Sequence, residues 1–222
     1  MSNQQWLTLL QHTKAIAVIR ATKMQQACQM AKAVAAGGIQ LIEITWNSDC
    51  PAQTIEQLRF ELPNCIIGTG TLLTLDQMQA AIAAGAQFLF TPHVDSTMIQ
   101  TAVEHGIPII PGALSPTEIV TAWLWGASCV KVFPVQAVGG ASYIKSLQGP
   151  LGQIPLIPTG GVTLENAKEF IASGAIAVGL SGQLFPPDLV ESGNWEQISQ
   201  LAQTLLHGLA TCISIFDRDL YS

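Results

Sequence analysis

Short runs of apolar, largely β-branched residues alternate with helical patterns from one end of the chain to the other. The runs are Ala15–Ile19, Leu41–Thr45, Cys65–Ile67, Gln87–Phe90, Pro108–Ile110, Cys129–Phe133, Pro155–Pro158 and Ile176–Gly179. Each is close to continuously apolar instead of alternating, which predicts parallel strands covered on both faces. Between them apolar residues recur at three- and four-residue spacing, as in Met24–Val34 and Leu75–Ala84, and Gly37, Gly38 and Gly85 stand where those helices should stop. The phrase A-G-G-I-Q-L-I-E returns as A-A-G-A-Q-F-L-F, E-H-G-I-P-I-I, L-W-G-A-S-C-V-K and A-S-G-A-I-A-V-G. A helix end, a glycine and a strand thus form one unit used repeatedly. Eight such units in about 180 residues predict a (β/α)₈ TIM barrel. An open doubly wound sheet is the competing α/β layout, but it ordinarily has five or six strands and no eightfold regularity. A polar amphipathic stretch around Trp6, Leu9 and Leu10 predicts a short N-terminal helix. Asn194 to about Arg218, with Trp195, Ile198, Leu201 and Leu205 on one stripe, predicts a C-terminal one. Residues 1–222 are expected to form a single domain.

Composition narrows the function. Charged residues make up 11% of the chain, under half the usual share, and the net charge is −6 with three arginines and no basic run. Neither a nucleic-acid surface nor an anionic membrane surface is expected. Few charges and an apolar content of 49% predict that part of the exterior is covered by partner subunits. The five cysteines, Cys28, Cys50, Cys65, Cys129 and Cys212, form no C-x-x-C pair, as expected of reduced thiols in a cytoplasmic protein. The start of the chain lacks the charged-then-apolar pattern of a signal peptide, and no apolar run approaches the ~20 residues of a membrane span. His12, His93, His105 and His207 are scattered without H-x-H or H-x-x-E spacing, so no metal and no cofactor are expected.

In a barrel of this kind chemistry sits where strands end at their C-terminal face. Of the six lysines, Lys14, Lys23, Lys32, Lys145 and Lys168 fall on helices or helix edges, whereas Lys131 lies inside an apolar run, A-S-C-V-K-V-F-P. A buried lysine loses its proton more readily, which yields a nucleophilic amine near neutral pH; the competing reading is a lysine paired to a buried carboxylate. Glu43, inside L-I-E-I-T-W, is the matching oddity: an ion-pair partner of Lys131 or the proton relay that imine chemistry requires. P-T-G-G-V-T, which contains Gly160 and Gly161, and V-G-L-S-G, which contains Ser181 and Gly182, follow the seventh and eighth runs, where this architecture usually binds phosphate. Thr71, closing I-G-T-G-T, either offers a hydroxyl to a substrate carboxylate or caps the next helix.

The motifs G-G-I-Q-L-I-E-I-T, I-G-T-G-T-L-L, A-G-A-Q-F-L-F-T-P, I-P-I-I-P-G, V-K-V-F-P and P-T-G-G-V, in that order from about Ala15 to Pro186, resemble those of the 2-keto-3-deoxy-6-phosphogluconate aldolase family. That family also includes 4-hydroxy-2-oxoglutarate and phosphogalactonate aldolases. The resemblance implies a metal-free class I aldolase of carbohydrate metabolism, as in the Entner-Doudoroff pathway, assembled as a homotrimer of (β/α)₈ barrels. It places Lys131 on the Schiff-base lysine, Glu43 on the proton-transfer glutamate, Thr71 near the pyruvyl carboxylate, and Pro92 and Phe133 in the pyruvate pocket. Gly160, Gly161, Ser181 and the adjoining Gly182 fall on the phosphate site. Phosphogluconate enzymes read E-V-T-L-R-T at strand two, where this chain has Glu43-Ile44-Thr45-Trp46-Asn47-Ser48 and no arginine. Galactonate relatives resemble E-I-P-L-N-S there and carry an arginine at the end of strand one, where this chain has Arg20 in A-V-I-R. Asn47 and Arg20 are therefore expected at the substrate. Thr159 in P-T-G-G is instead similar to the gluconate type, so features of both are mixed. The implied reaction is cleavage of 2-keto-3-deoxy-6-phosphogluconate or its galactonate epimer to pyruvate and glyceraldehyde 3-phosphate. The same lysine would serve 4-hydroxy-2-oxoglutarate cleavage or oxaloacetate decarboxylation. A phosphate-sugar isomerase or a binding barrel without covalent chemistry is the reading of a different class that the fold alone permits.

Overall fold

The computed structural model describes residues 1–212. Helices and strands follow in the order α1 (Asn3–Thr13), β1 (Ala15–Ile19), α2 (Met24–Ala36), β2 (Leu41–Thr45), α3 (Pro51–Glu61), β3 (Ile66–Gly70), α4 (Leu75–Ala83), β4 (Leu89–Phe90) and α5 (Ser96–Glu104). They continue as β5 (Ile109–Ile110), β6 (Gly112–Ala113), α6 (Pro116–Leu124), β7 (Val130–Val132), α7 (Ala141–Leu151), β8 (Leu156–Pro158), α8 (Ala167–Ala172), β9 (Val178–Leu180), α9 (Pro187–Ser192) and α10 (Trp195–Ala210). The predicted alternation is present, and the helix expected from Asn194 ends at Ala210; its continuation to Arg218 lies outside the described residues.

All strand pairs are parallel. β5-β4-β3-β2-β1-β9 form one sheet and β6-β7-β8 a second. β5 and β6 are separated by Pro111, which has no N–H to give the ladder. The Ser128 N–H still donates to the Ile109 carbonyl at 2.9 Å and the Lys131 N–H to the Pro111 carbonyl at 2.9 Å. At the other seam Thr159 bridges to Gly179, and the Ile176 N–H donates to the Leu156 carbonyl at 3.0 Å. Continuously apolar strands have two covered faces, and the core divides accordingly. Ile42, Ile44, Val130, Val132, Leu156 and Val178 pack outward against helices. Ile16, Leu41, Phe88, Phe90, Ile110, Cys129 and Ile157 turn inward and meet across the two sheets.

Helix α1 belongs to that inner cluster. Ser2 and Gln5 close a capping box at its start. Its apolar stripe delivers Trp6 and Leu10, both fully buried, onto the inward residues at the beginnings of the strands, Ile16, Leu41 and Ile66. The Trp6 and Phe88 rings lie 5.2 Å apart, and Phe88 meets Phe90 edge-on at 5.8 Å. The interior is thus plugged by aromatic side chains at the N-terminal ends of the strands, and polar inward positions are left at the C-terminal ends.

The third strand departs from expectation. The apolar run predicted Cys65–Ile67, but the strand continues through the glycines to Gly70, because β2 supplies partners along its whole length, Glu43 opposite Gly68 and Thr45 opposite Gly70. An added Cβ at Gly68 would lie 2.5 Å from the Phe88 ring, so this glycine makes room for a core side chain and not for a turn. Among the described residues no helix is long and apolar enough to cross a membrane.

Candidate active site

Inward positions of several strands converge on a cavity of about 460 Å³ at the C-terminal ends. Along β2 the inward residues run from Leu41 in the core to Glu43 and Thr45 on the cavity wall, and along β7 from Cys129 to Lys131 and then to Phe133 at the rim. Arg20, Thr71 and Pro92 line the same cavity from the ends of the first, third and fourth units. Thr159, Gly160, Gly161, Ser181 and Gly182 close it from the loops after β8 and β9. Asn47 is exposed and is not among the lining residues, although it follows β2 closely in sequence. His93 is also outside the lining.

Lys131 is 7% exposed and Glu43 2%. The Lys131 Nζ lies 4.5 Å from the centre of the Phe133 ring and 5.9 Å from that of Phe90. Lys131 and Glu43 make no ion pair within 4.0 Å; among the described residues that contact joins Lys32 to Glu61 at 3.1 Å on the surface. The buried lysine and the buried glutamate therefore share a cavity without neutralising each other by contact. Burial pulls the Lys131 ammonium below the usual lysine range; the Glu43 charge opposes this and Arg20 reinforces it. Burial pushes the Glu43 carboxyl above the usual carboxylate range against the pull of Lys131 and Arg20. Both groups are thereby brought toward their neutral forms, which suits an amine that must attack and an acid that must give up a proton.

Small local features hold this pair in place. An added Cβ at Gly70 would fall 1.8 Å from the Glu43 Oε1 and 2.5 Å from its Cδ, so the glutamate head occupies the space that the missing side chain leaves. Next in the chain, Thr71 has φ of 62°, a left-handed conformation that β-branched residues avoid at about 1–3 kcal/mol. A strained residue on a cavity wall marks a position where side-chain placement outweighs backbone comfort. Gly160 and Gly161 have φ of 82° and 96°. Glycine alone adopts such values freely, and the turn leaves backbone N–H groups uncovered by any Cβ, as an anion site requires. A Cβ at Gly161 would also lie 2.4 Å from the Gln136 Cβ.

The lining also takes in Thr45, Thr163 and Gln183; Thr45 and Thr163 close two of the sequence motifs, but hydroxyl and amide side chains are too common to stand out by residue type. Among the described residues no group of three or more His, Cys, Asp or Glu is arranged to hold a metal ion.

The family model described as "Aldolase: KDPG and KHG aldolase" matches residues 7–201. The chain is 34% identical over 193 residues to the 2-dehydro-3-deoxy-phosphogluconate aldolase of Dickeya dadantii (strain 3937), covering 87% of this chain and 91% of that one. It is 32% identical over 193 residues to the KHG/KDPG aldolase of Escherichia coli (strain K12), with the same coverages of 87% and 91%. Among solved structures it is similar to the KDPG aldolase of Legionella pneumophila with pyruvate captured as a covalent carbinolamine. That match has a TM-score of 0.83 and 28% identity, covering 90% of this chain and 97% of the other.

Proposed function

From the premise that this chain belongs to the KDPG and KHG aldolase family, and is thus a carbon–carbon lyase, we propose that it cleaves a phosphorylated 2-keto-3-deoxy sugar acid to pyruvate and glyceraldehyde 3-phosphate through an imine on Lys131. The observation that carries this reading is the Lys131 amine, nearly excluded from solvent, at the wall of a cavity it shares with Glu43.

The neutral Lys131 Nζ adds to the C2 carbonyl carbon, and the Glu43 carboxyl gives its proton to the carbinolamine hydroxyl, which leaves as water; the products are the protonated imine and the Glu43 carboxylate. Glu43 takes the proton of the C4 hydroxyl as the C3–C4 bond breaks; the bonding electrons pass to the imine nitrogen, leaving an enamine and the free aldehyde. Reprotonation at C3 and hydrolysis of the imine release pyruvate and restore the amine. The Phe90 and Phe133 rings support the iminium charge. Arg20 and Thr71 hold the carboxylate, Pro92 and Thr159 shape the pocket around the pyruvyl group, and the Gly160-Gly161 turn with Ser181 and Gly182 receives the phosphate. The Thr159–Gly179 bridge and the bonds that carry β7 past Pro111 support the sheets as one closed (β/α)₈ barrel. The exposed Phe60, Val103, Leu124 and Trp125 favour assembly with further copies, read here as a homotrimer and measurable by sedimentation.

Incubation with pyruvate and borohydride, followed by peptide mapping, tests the reading. A reduced pyruvyl adduct on Lys131 is expected, and its absence would leave a non-covalent isomerase or binding barrel. A panel of the two phosphorylated epimers, 4-hydroxy-2-oxoglutarate and oxaloacetate then ranks the substrates.

Two variants probe the supporting residues. Arg20→Ala removes a charged hydrogen bond to the carboxylate, worth about 1.5–3 kcal/mol. It is expected to lower kcat/KM roughly 10- to 150-fold for every pyruvyl substrate alike. Near-wild-type kinetics would leave the carboxylate to Thr71 and backbone donors. Gly70→Ala forces the Glu43 head out of its niche. The displaced atoms are the end of a side chain, so melting temperature should move little, whereas kcat should fall roughly 10- to 100-fold because the proton relay is misplaced. Retained borohydride labelling alongside the lost turnover would locate the defect after imine formation.

A further inference from the structure

We infer that Ser48 is a positioning residue for Arg20, its hydroxyl clamping the Arg20–Ala21 peptide from the neighbouring loop so that the guanidinium is held over the cavity; this rests on the reading of Arg20 as the carboxylate anchor.

Arg20 follows the last residue of β1, is exposed, and makes no ion pair among the described residues, so its side chain is not tied down directly. Its direction is set by the backbone that bears it. Ala21, the residue that follows it, is bonded at both its N–H and its carbonyl by the loop after β2. The Ala21 N–H donates to the Ser48 Oγ at 3.1 Å, and the Asp49 N–H donates to the Ala21 carbonyl at 3.0 Å. The Ser48 Oγ lies 3.1 Å from the hydroxyl of Thr45, which itself lines the cavity, and the Ser48 N–H donates to the Thr45 carbonyl at 2.9 Å. Both hydroxyl-bearing residues are buried, Thr45 almost completely.

The clamp extends one step further. Helix α2 has no side-chain cap from its own Lys23; the Met24 N–H donates instead to the Asp49 Oδ2 at 3.2 Å. The segment from Arg20 to the start of α2 thus leans on Ser48 and Asp49. A buried Ala21 N–H deprived of its acceptor must find another or shift the loop. A shift there swings a long side chain whose function depends on fractions of an ångström.

The test is the pyruvate dependence of borohydride trapping in wild type, Ser48→Ala, Arg20→Ala and the double variant, with the uncharged ketone pyruvamide as comparison. In Ser48→Ala the half-saturating pyruvate concentration is expected to rise roughly 5- to 20-fold, part of the full loss of an arginine–carboxylate contact, with the limiting rate held within about 2-fold. Pyruvamide saturation should stay unchanged, and Ser48→Ala should add nothing in the Arg20→Ala background. An equal rise for pyruvate and pyruvamide, an additive double variant, or an unchanged Ser48→Ala beside an impaired Arg20→Ala would overturn the inference alone. An unchanged Arg20→Ala would overturn the carboxylate reading of Arg20 and this inference with it. If Ser48→Ala does not accumulate, Ser48→Cys, which keeps a weaker acceptor at the same place, carries the same comparison.

Discussion

Lys131→Arg is expected to abolish turnover while leaving the protein folded, with kcat falling roughly 10⁴- to 10⁶-fold, the range seen when a covalent nucleophile is removed. Arginine keeps a positive charge and a similar length, but its guanidinium does not deprotonate in a protein and forms no imine. Two measurements separate the chemical loss from a structural one. Borohydride labelling with pyruvate should disappear, and circular dichroism and melting temperature should stay close to wild type. Labelling that persists on another lysine would sink the assignment. Lys14, Lys23, Lys32, Lys145 and Lys168 lie on helices or at their ends, away from the cavity lining.

Glu43→Gln should be the second largest loss, roughly 10²- to 10⁴-fold in kcat, as expected for a positioned acid–base group. Its pH behaviour is more diagnostic than its size. The Glu43 charge opposes the burial that depresses Lys131, so deleting it lets the lysine fall further. The acid limb of imine trapping should then move to lower pH even as turnover collapses. Stability should shift with the opposite sign from that of a salt-bridged carboxylate. The folded-state pKa of Glu43 is raised, so its ionised form burdens the folded state fully above that value, and the burden lifts as pH falls from the raised value to the ordinary carboxylate one. Glu43→Gln removes it, so the variant should melt higher than wild type at alkaline pH and match it in acid. Thermal melts across that range check the sign; a lower melting temperature at alkaline pH would mean that the carboxylate is stabilised by contacts with Lys131 or Arg20.

Lys131 and Glu43 were legible in the sequence because a charged residue inside an apolar parallel strand has no ordinary structural excuse. The repeated helix–glycine–strand phrase made the architecture legible for the same kind of reason: the spacing itself carries the geometry. What escaped depends on residues far apart in the chain. The apolar run Cys65–Ile67 stops short of Gly68 and Gly70, because a pattern of letters does not say which neighbour fills the place of a missing Cβ; here Phe88 and the Glu43 head fill it. Asn47 rests on the likeness to E-I-P-L-N-S and is exposed, outside the cavity lining, whereas its neighbour Ser48 is buried and bonds a different loop, which no local pattern announces. The fifth strand read as ending at Ile110, yet pairing resumes beyond Pro111 because the chain skips one bond and stays in register with β7.

The aromatic plug at the far end of the interior also governs traffic. With Trp6 seated on Phe88, Phe88 on Phe90, and Phe90 beneath Lys131, the corridor is blocked behind the lysine and opens toward the rim. In the proposed reaction the pyruvyl half is bonded at the blind end, and the aldehyde half lies between it and the opening. The aldehyde must therefore depart first, and the water that frees pyruvate arrives by the route the aldehyde has just vacated. The order of product release is thus written into the direction in which the corridor is closed, by a helix that touches neither product.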